Sequence, residues 1–138
     1  MSSGPESVAR AFVTACNGDD TAAVLGMCHP DIELHEAPAL PGAVSAVGFD
    51  EVRRYLERFG THWSDMHWDP LKVDVAGERV AIEARLRLRG RQSGVEVDRV
   101  WGYVFNVRDG LIARQDGYDD GDAARAALRS PPAPRPAG

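Results

Sequence analysis

Cysteine is nearly absent from this 138-residue chain, which holds only Cys16 and Cys28. Two cysteines at this spacing exclude a disulfide framework and a cysteine-built metal site. Lysine is rarer still, with Lys72 alone among 16 basic residues. The formal net charge of −5 argues against nucleic acid as a partner, because phosphate binding needs a concentrated positive face. No run of 18 apolar residues exists, so no helix of the chain is expected to span a membrane. A positive-then-apolar leader is missing as well, and the expectation is a soluble cytoplasmic protein. The GxGxxG and Walker phosphate loops and the GxSxG elbow are not found. What remains is an ordinary globular composition, 43% hydrophobic and 27% charged. A chain this long hides roughly two-thirds of its unfolded surface and needs no staples to fold.

The order of elements reads as α+β, with helices in the first half and strands in the second. Residues 1–129 are expected to form one domain, and SPPAPRPAG at 130–138 a disordered tail, since its prolines forbid helix. Pro5 to Cys16 is predicted helical, with Val8, Ala11, Phe12 and Ala15 on one face. Asp19 or Asp20 caps a second short helix to about Cys28. His29-Pro30-Asp31 reads as a break, followed by a strand from Ile32 to Glu36. Ala37–Val47 is expected to be a loop with room for a short paired strand. A third helix runs from Asp50, carrying Val52, Tyr55, Leu56 and Phe59, and stops at Gly60.

From Trp68 onward the hydrophobic period falls to 2. Strands are expected at Trp68–Val75, Val80–Arg89, Val95–Val107 and Leu111–Tyr118, with Asp109-Gly110 as the hairpin turn. Asp120 is placed to cap a last helix over residues 121–128.

Parity identifies the chemistry. Ile32, Leu34 and Glu36 share the apolar face of the first strand, so Glu36 is an acid turned toward the interior. A carboxylate pushed into low dielectric has its pKa raised and becomes a base useful near neutral pH. On the longest strand, Arg99, Trp101, Tyr103 and Phe105 share one face, and the Tyr103 hydroxyl is a hydrogen-bond donor within the same space. Parity alone leaves a second reading open for each. Glu36 can meet water at its strand end, and Arg99 can lay its stem on the sheet with its head at the rim. Tyr103 can be a core aromatic. A direct Glu36–Arg99 pair would lower the acid's pKa and weaken it as a base. His29, His35, His62 and His67 lack metal-ligand spacing. The cluster Asp116, Asp119, Asp120 and Asp122 lacks the pattern of a calcium loop. No metal is expected.

Read in order, HPDIELHEAP, GFDEVRRYL and FNVRDGLIARQDGYDDGDAARAAL resemble the nuclear transport factor 2-like superfamily. Within it, SGVEVD and RDGLI are similar to the SnoaL-like polyketide cyclase and ketosteroid isomerase-like branch, over roughly residues 5 to 129. The resemblance implies a conical half-barrel, a strongly curved antiparallel sheet wrapped around three N-terminal helices with one deep pocket. It also implies a homodimer. On the family pattern the general base falls on Glu36, and the oxyanion-hole acid falls near Tyr103. The first-helix oxyanion tyrosine falls near Phe12 or Ala11, neither of which can donate, and this speaks against steroid isomerisation itself. The epoxide-hydrolase pattern falls near Ala84, Leu86 and Gly117, so that chemistry is absent in that form. For the cyclases' late acid, Asp116 and Asp119 are the nearest positions.

The implied activity is a cofactor-free cyclase or isomerase acting on an apolar, polyketide-like small molecule in secondary-metabolite biosynthesis. Glu36 is its base and Tyr103 its oxyanion donor. Phe12, Tyr55, Trp63, Arg99, Trp101 and Phe105 shape the pocket. The superfamily also hosts non-catalytic binding modules and dimeric partner domains, which stay open beside the enzyme.

Overall fold

Val8, Ala9, Phe12 and Val13 bury one face of α1 (Pro5–Asn17) in the computed structural model, which describes residues 4–18, 20–39 and 44–130. The elements that follow are α2 (Thr21–Leu25), β1 (Cys28–His35), β2 (Ser45–Val47) and α3 (Phe49–His62). Then come β3 (Trp63–Ala76), β4 (Arg79–Gly90), β5 (Glu96–Arg108), β6 (Leu111–Tyr118) and α4 (Gly121–Arg129). The six strands form one curved, unclosed sheet in the order β2-β1-β6-β5-β4-β3. All its pairings are antiparallel except one: β1 runs parallel to β6. This is the expected α+β architecture. The three helices of the first half are not one block, however, because β1 and β2 lie between α2 and α3.

Alternation on the long strands separates two packing layers. Val80, Ile82, Ala84, Leu86 and Leu88 of β4 join Trp101, Tyr103, Phe105 and Val107 of β5 in the main core with α1. The opposite parity, Ala81 and Val104, meets Ala124 and Leu128 of α4 on the other face. Asp120 caps α4 by accepting from the Ala123 N–H at 2.8 Å, as its position predicts. Asp109 and Gly110 both have positive φ, 56° and 73°, which is the backbone a two-residue hairpin of matching twist requires.

Several boundaries differ from expectation. β1 begins at Cys28 and runs through Pro30, so His29-Pro30-Asp31 is strand and α2 ends earlier, at Leu25. The clash that bars helix before a proline also favours extended chain. Pro30's missing donor is tolerated because the β1–β6 ladder is irregular between Cys28 and Glu33. Gly60 does not end α3, which continues to His62. Its carbonyl instead accepts from Arg91 Nε at 2.8 Å. β3 starts at Trp63, and register shifts between Ser64 and His67 and between Pro70 and Lys72 interrupt its period. The alternative cap Asp19, part of the 37–47 loop, and the tail beyond Ser130 lie outside the described residues.

Candidate active site

A cavity of about 340 Å³ opens between α1, α3 and the face of the sheet they cover. Phe12 reaches it from α1, Leu34 from β1, Trp101 and Tyr103 from β5, and Gln115 from β6. Helix α3 contributes Tyr55 and Phe59 at the i, i+4 spacing that puts residues on one face, and Trp63, the first residue of β3, extends the row. Tyr55 and Phe59 have ring centroids 5.9 Å apart, and Phe59 and Trp63 6.5 Å. The wall is therefore rich in aromatic rings, and polar groups stand among them, including Asn17, Glu36, Asp65, Arg91 and Gln115.

Glu36 is one of those groups. It stands just past β1, half-buried, where the chain leaves the sheet. The Tyr55 hydroxyl donates to its Oε1, and the Val44 N–H donates to its Oε2 at 3.3 Å. Burial raises the Glu36 carboxyl above the ordinary range, and these two hydrogen bonds only partly oppose the shift. Among the described residues no cation pairs with it. Arg99 bonds the Asp119 carbonyl at 3.0 Å and lies over the Trp101 ring at 4.2 Å. The pairing that would have weakened the base is absent.

Tyr103 completes the set. Its phenol is pushed far up, first by burial and then by the nearby Glu36 charge. The Trp68 indole N–H pulls the other way, although its geometry falls short of a regular hydrogen bond. At neutral pH the hydroxyl keeps its proton and is a donor. It donates to no other described residue. Tyr55 is likewise held protonated by burial and by Glu36.

Of the residues expected in a pocket, Phe12, Glu36, Tyr55, Trp63, Trp101 and Tyr103 line this cavity. Arg99 and Phe105 do not. Arg99, near the start of β5, is exposed and lies over the outer side of the Trp101 ring, not in the cavity. Phe105 is fully buried, edge-on to Phe12 at 5.9 Å, in the solid core beneath α1. Asp116, the nearest counterpart of a late acid, faces away from the cavity side taken by Gln115 and is chelated by Arg114 at 2.8 and 3.1 Å. Cys16 lines the cavity, but burial pushes its thiol up to about 12 and that of Cys28 up to about 11. Neither is a nucleophile at neutral pH. Among the described residues, no cluster of histidines, cysteines and acids could hold a metal.

One positioning residue gave no signal in the sequence. A Cβ at Gly117 would lie 2.4 Å from the Ala37 nitrogen and 3.0 Å from the Glu36 carbonyl carbon. The bare backbone of β6 thus lets the chain leaving β1 cross close above it and sets where Glu36 stands. Neither neighbour is a side-chain end that can swing away. Gly117→Ala is expected to cost about 1–3 kcal/mol in denaturant unfolding, as overpacking does, and to shift the carboxylate and impair the site as well.

A model of the SnoaL-like domain family matches residues 9–115. No relative matches among curated protein sequences. Among solved structures, the chain is similar to a candidate polyketide cyclase from Xanthomonas campestris pv. campestris. The identity is 19% and the TM-score 0.72, over 90% of this chain and 96% of that one. A protein of ketosteroid isomerase-like fold from Catenulispora acidiphila, solved with trimethylamine, is 18% identical with TM-score 0.72, over 94% and 96%. TerC, solved with polyporic acid, is 19% identical with TM-score 0.72, over 93% and 100%. At such identities the likeness is one of fold.

Proposed function

Because the chain belongs to the SnoaL-like domain family, we propose that it is a cofactor-free cyclase or isomerase working by acid–base catalysis on an apolar, polyketide-like molecule. One observation carries this reading: a half-buried carboxylate and two protonated phenols meet in the wall of an aromatic cavity. Glu36 takes a proton from a carbon next to a carbonyl. The C–H electron pair moves into the carbonyl, and its oxygen, now negative, accepts from the Tyr103 hydroxyl. In an isomerisation the proton returns from Glu36 to a different carbon. In a ring closure the enolate carbon attacks a second carbonyl of the same chain, and the new alkoxide takes the proton. Tyr55 holds the Glu36 carboxylate in place throughout. The aromatic walls fold the substrate, and such proximity is worth up to about 7–11 kcal/mol of a barrier. Names among the fold relatives, a candidate polyketide cyclase and a protein holding polyporic acid, accord with an oxygenated carbon skeleton as the substrate class.

The test is deuterium uptake next to the carbonyl of aryl 1,3-diketones in D₂O, followed by NMR. The expected result is saturable exchange well above the buffer rate. Diketones that bind the cavity but exchange no faster than in buffer would overturn the reading.

A second reading, a small-molecule carrier, draws on the engagement of both Glu36 oxygens by Tyr55 and Val44. It expects tight capture of apolar ligands, no product, and indifference to Glu36→Gln.

A further inference from the structure

Two buried indole N–H groups, those of Trp68 and Trp101, have no hydrogen-bond partner. Both side chains belong to the cavity wall. A buried donor left unpaired is costly, and native proteins keep few of them. Trp68 is the one whose surroundings give the orphan a use. Its ring meets Tyr103 edge-on, with centroids 4.8 Å apart and planes at 73°. It is 4% exposed, so water does not reach the N–H.

The backbone of Trp68 is held with unusual care. Strand β3 is an edge strand of the sheet, with no further strand to bond its outer side. At Trp68 the Asn17 side chain takes that place. Asn17 Oδ1 accepts from the Trp68 N–H at 2.7 Å, and Asn17 Nδ2 donates to the Trp68 carbonyl at 2.9 Å. The ladder slips on both sides of this point, between Ser64 and His67 and between Pro70 and Lys72. The last residue of α1 therefore pins one residue of an otherwise irregular strand. That residue carries the indole lying against the Tyr103 ring.

We propose that Trp68 is a positioning residue for the oxyanion site, its indole N–H closing onto the Tyr103 hydroxyl oxygen as Tyr103 shares its proton with the substrate. The inference rests on the reading of Tyr103 as the donor to the reacting oxygen. When the substrate oxygen gains charge, it draws the phenol proton toward itself, and the phenol oxygen becomes richer in electrons. A second donor behind that oxygen strengthens the chain, since successive hydrogen bonds polarise one another. It also occupies a lone pair, leaving the phenol proton to point into the cavity. Hydrogen bonds in catalytic sites are often slack before substrate arrives and tighten in the complex. No covalent bond other than that of the shared proton changes in this step, and no group is oxidised or reduced.

The experiment uses the intact chain with 2-naphthols of graded acidity as enolate mimics. The indole N–H resonances of Trp63, Trp68 and Trp101 are followed by NMR and assigned by single Trp→Phe variants. The Trp68 signal is expected to move downfield on binding, and further with the more acidic naphthols. In Tyr103→Phe that movement disappears while the naphthol still binds. Trp68→Phe, which keeps a ring and removes the N–H, is expected to lower kcat about tenfold with KM nearly unchanged. Should that variant fail to fold, Asn17→Ala keeps the indole while freeing its backbone, and it is expected to lower kcat in the same sense. A Trp68 signal that stays still in the presence of bound naphthol, or full kcat in the variant made, overturns the inference and leaves the role of Glu36 intact. If no naphthol enters the cavity and no diketone exchanges, both the reading of the site and this inference fall.

Discussion

Glu36→Gln lowers the rate of proton exchange by about 10²–10⁴-fold, the usual worth of a positioned general base. Glutamine has the shape of the carboxylate and can still accept from Tyr55, so the cavity persists and binding of neutral ligands changes little. What is lost is the basic oxygen, and with it the acceptor of the Val44 N–H. The same substitution is expected to raise stability at neutral pH. Burial raises the folded-state pKa of Glu36. Below the ordinary carboxylate pKa, both folded and unfolded states hold the proton and the shift has no effect. As pH rises through that range the unfolded chain ionises first, and stability falls until Glu36 ionises in the folded protein too. Above that window the wild type carries a cost that glutamine does not. Thermal unfolding of the two proteins at pH 4 and pH 8 is expected to show the Tm difference widening in the variant's favour at the higher pH. Lower activity with higher stability is the signature of a group held in place for chemistry.

Tyr103→Phe lowers kcat by about 10²–10³-fold, the scale seen when one oxyanion donor is removed. The ring is kept, and with it the contacts to Trp68 and Phe105, so unfolding is expected to change little. Tyr103 is 7% exposed, and its hydroxyl bonds no described residue that the variant would strand. The loss should fall on kcat and spare KM, because the oxygen gains its charge only in the transition state. A parallel rise in KM with unchanged kcat would make Tyr103 a wall residue and nothing more.

Much of this arrangement can be read from alternation. The concave face of β4 and β5 follows from which residues share a parity, and the inward turn of Glu36 follows from Ile32 and Leu34 before it. Parity names a face, but it does not say how far along a strand the cavity extends. On β5 one face passes from the exposed Arg99 stacked on Trp101, through cavity at Trp101 and Tyr103, to solid core at Phe105. Only the packing of α1 over the last of these separates them. Arg99 and Phe105 were expected in the pocket for that reason and stand outside it.

The bond from Tyr55 to Glu36 joins a helix to a strand end across 19 residues, a distance over which local spacing carries no information. Gly117 reads as an ordinary strand glycine until the crossing chain above it is seen. The slips in β3 break the period on which its face would have been assigned. The parallel β1–β6 pairing brings together the two ends of the fold, and no local turn signals it.

The central claim is that Glu36, ionised inside the cavity, is the group that removes the proton from carbon. Its most direct test is the pH dependence of diketone deuterium exchange, measured side by side for the wild type and Glu36→Gln. The wild-type rate is expected to climb with pH through a midpoint above the ordinary carboxylate range, then level off, while the variant stays at the buffer rate throughout. The same climb in both proteins would contradict the claim and assign the base to another group.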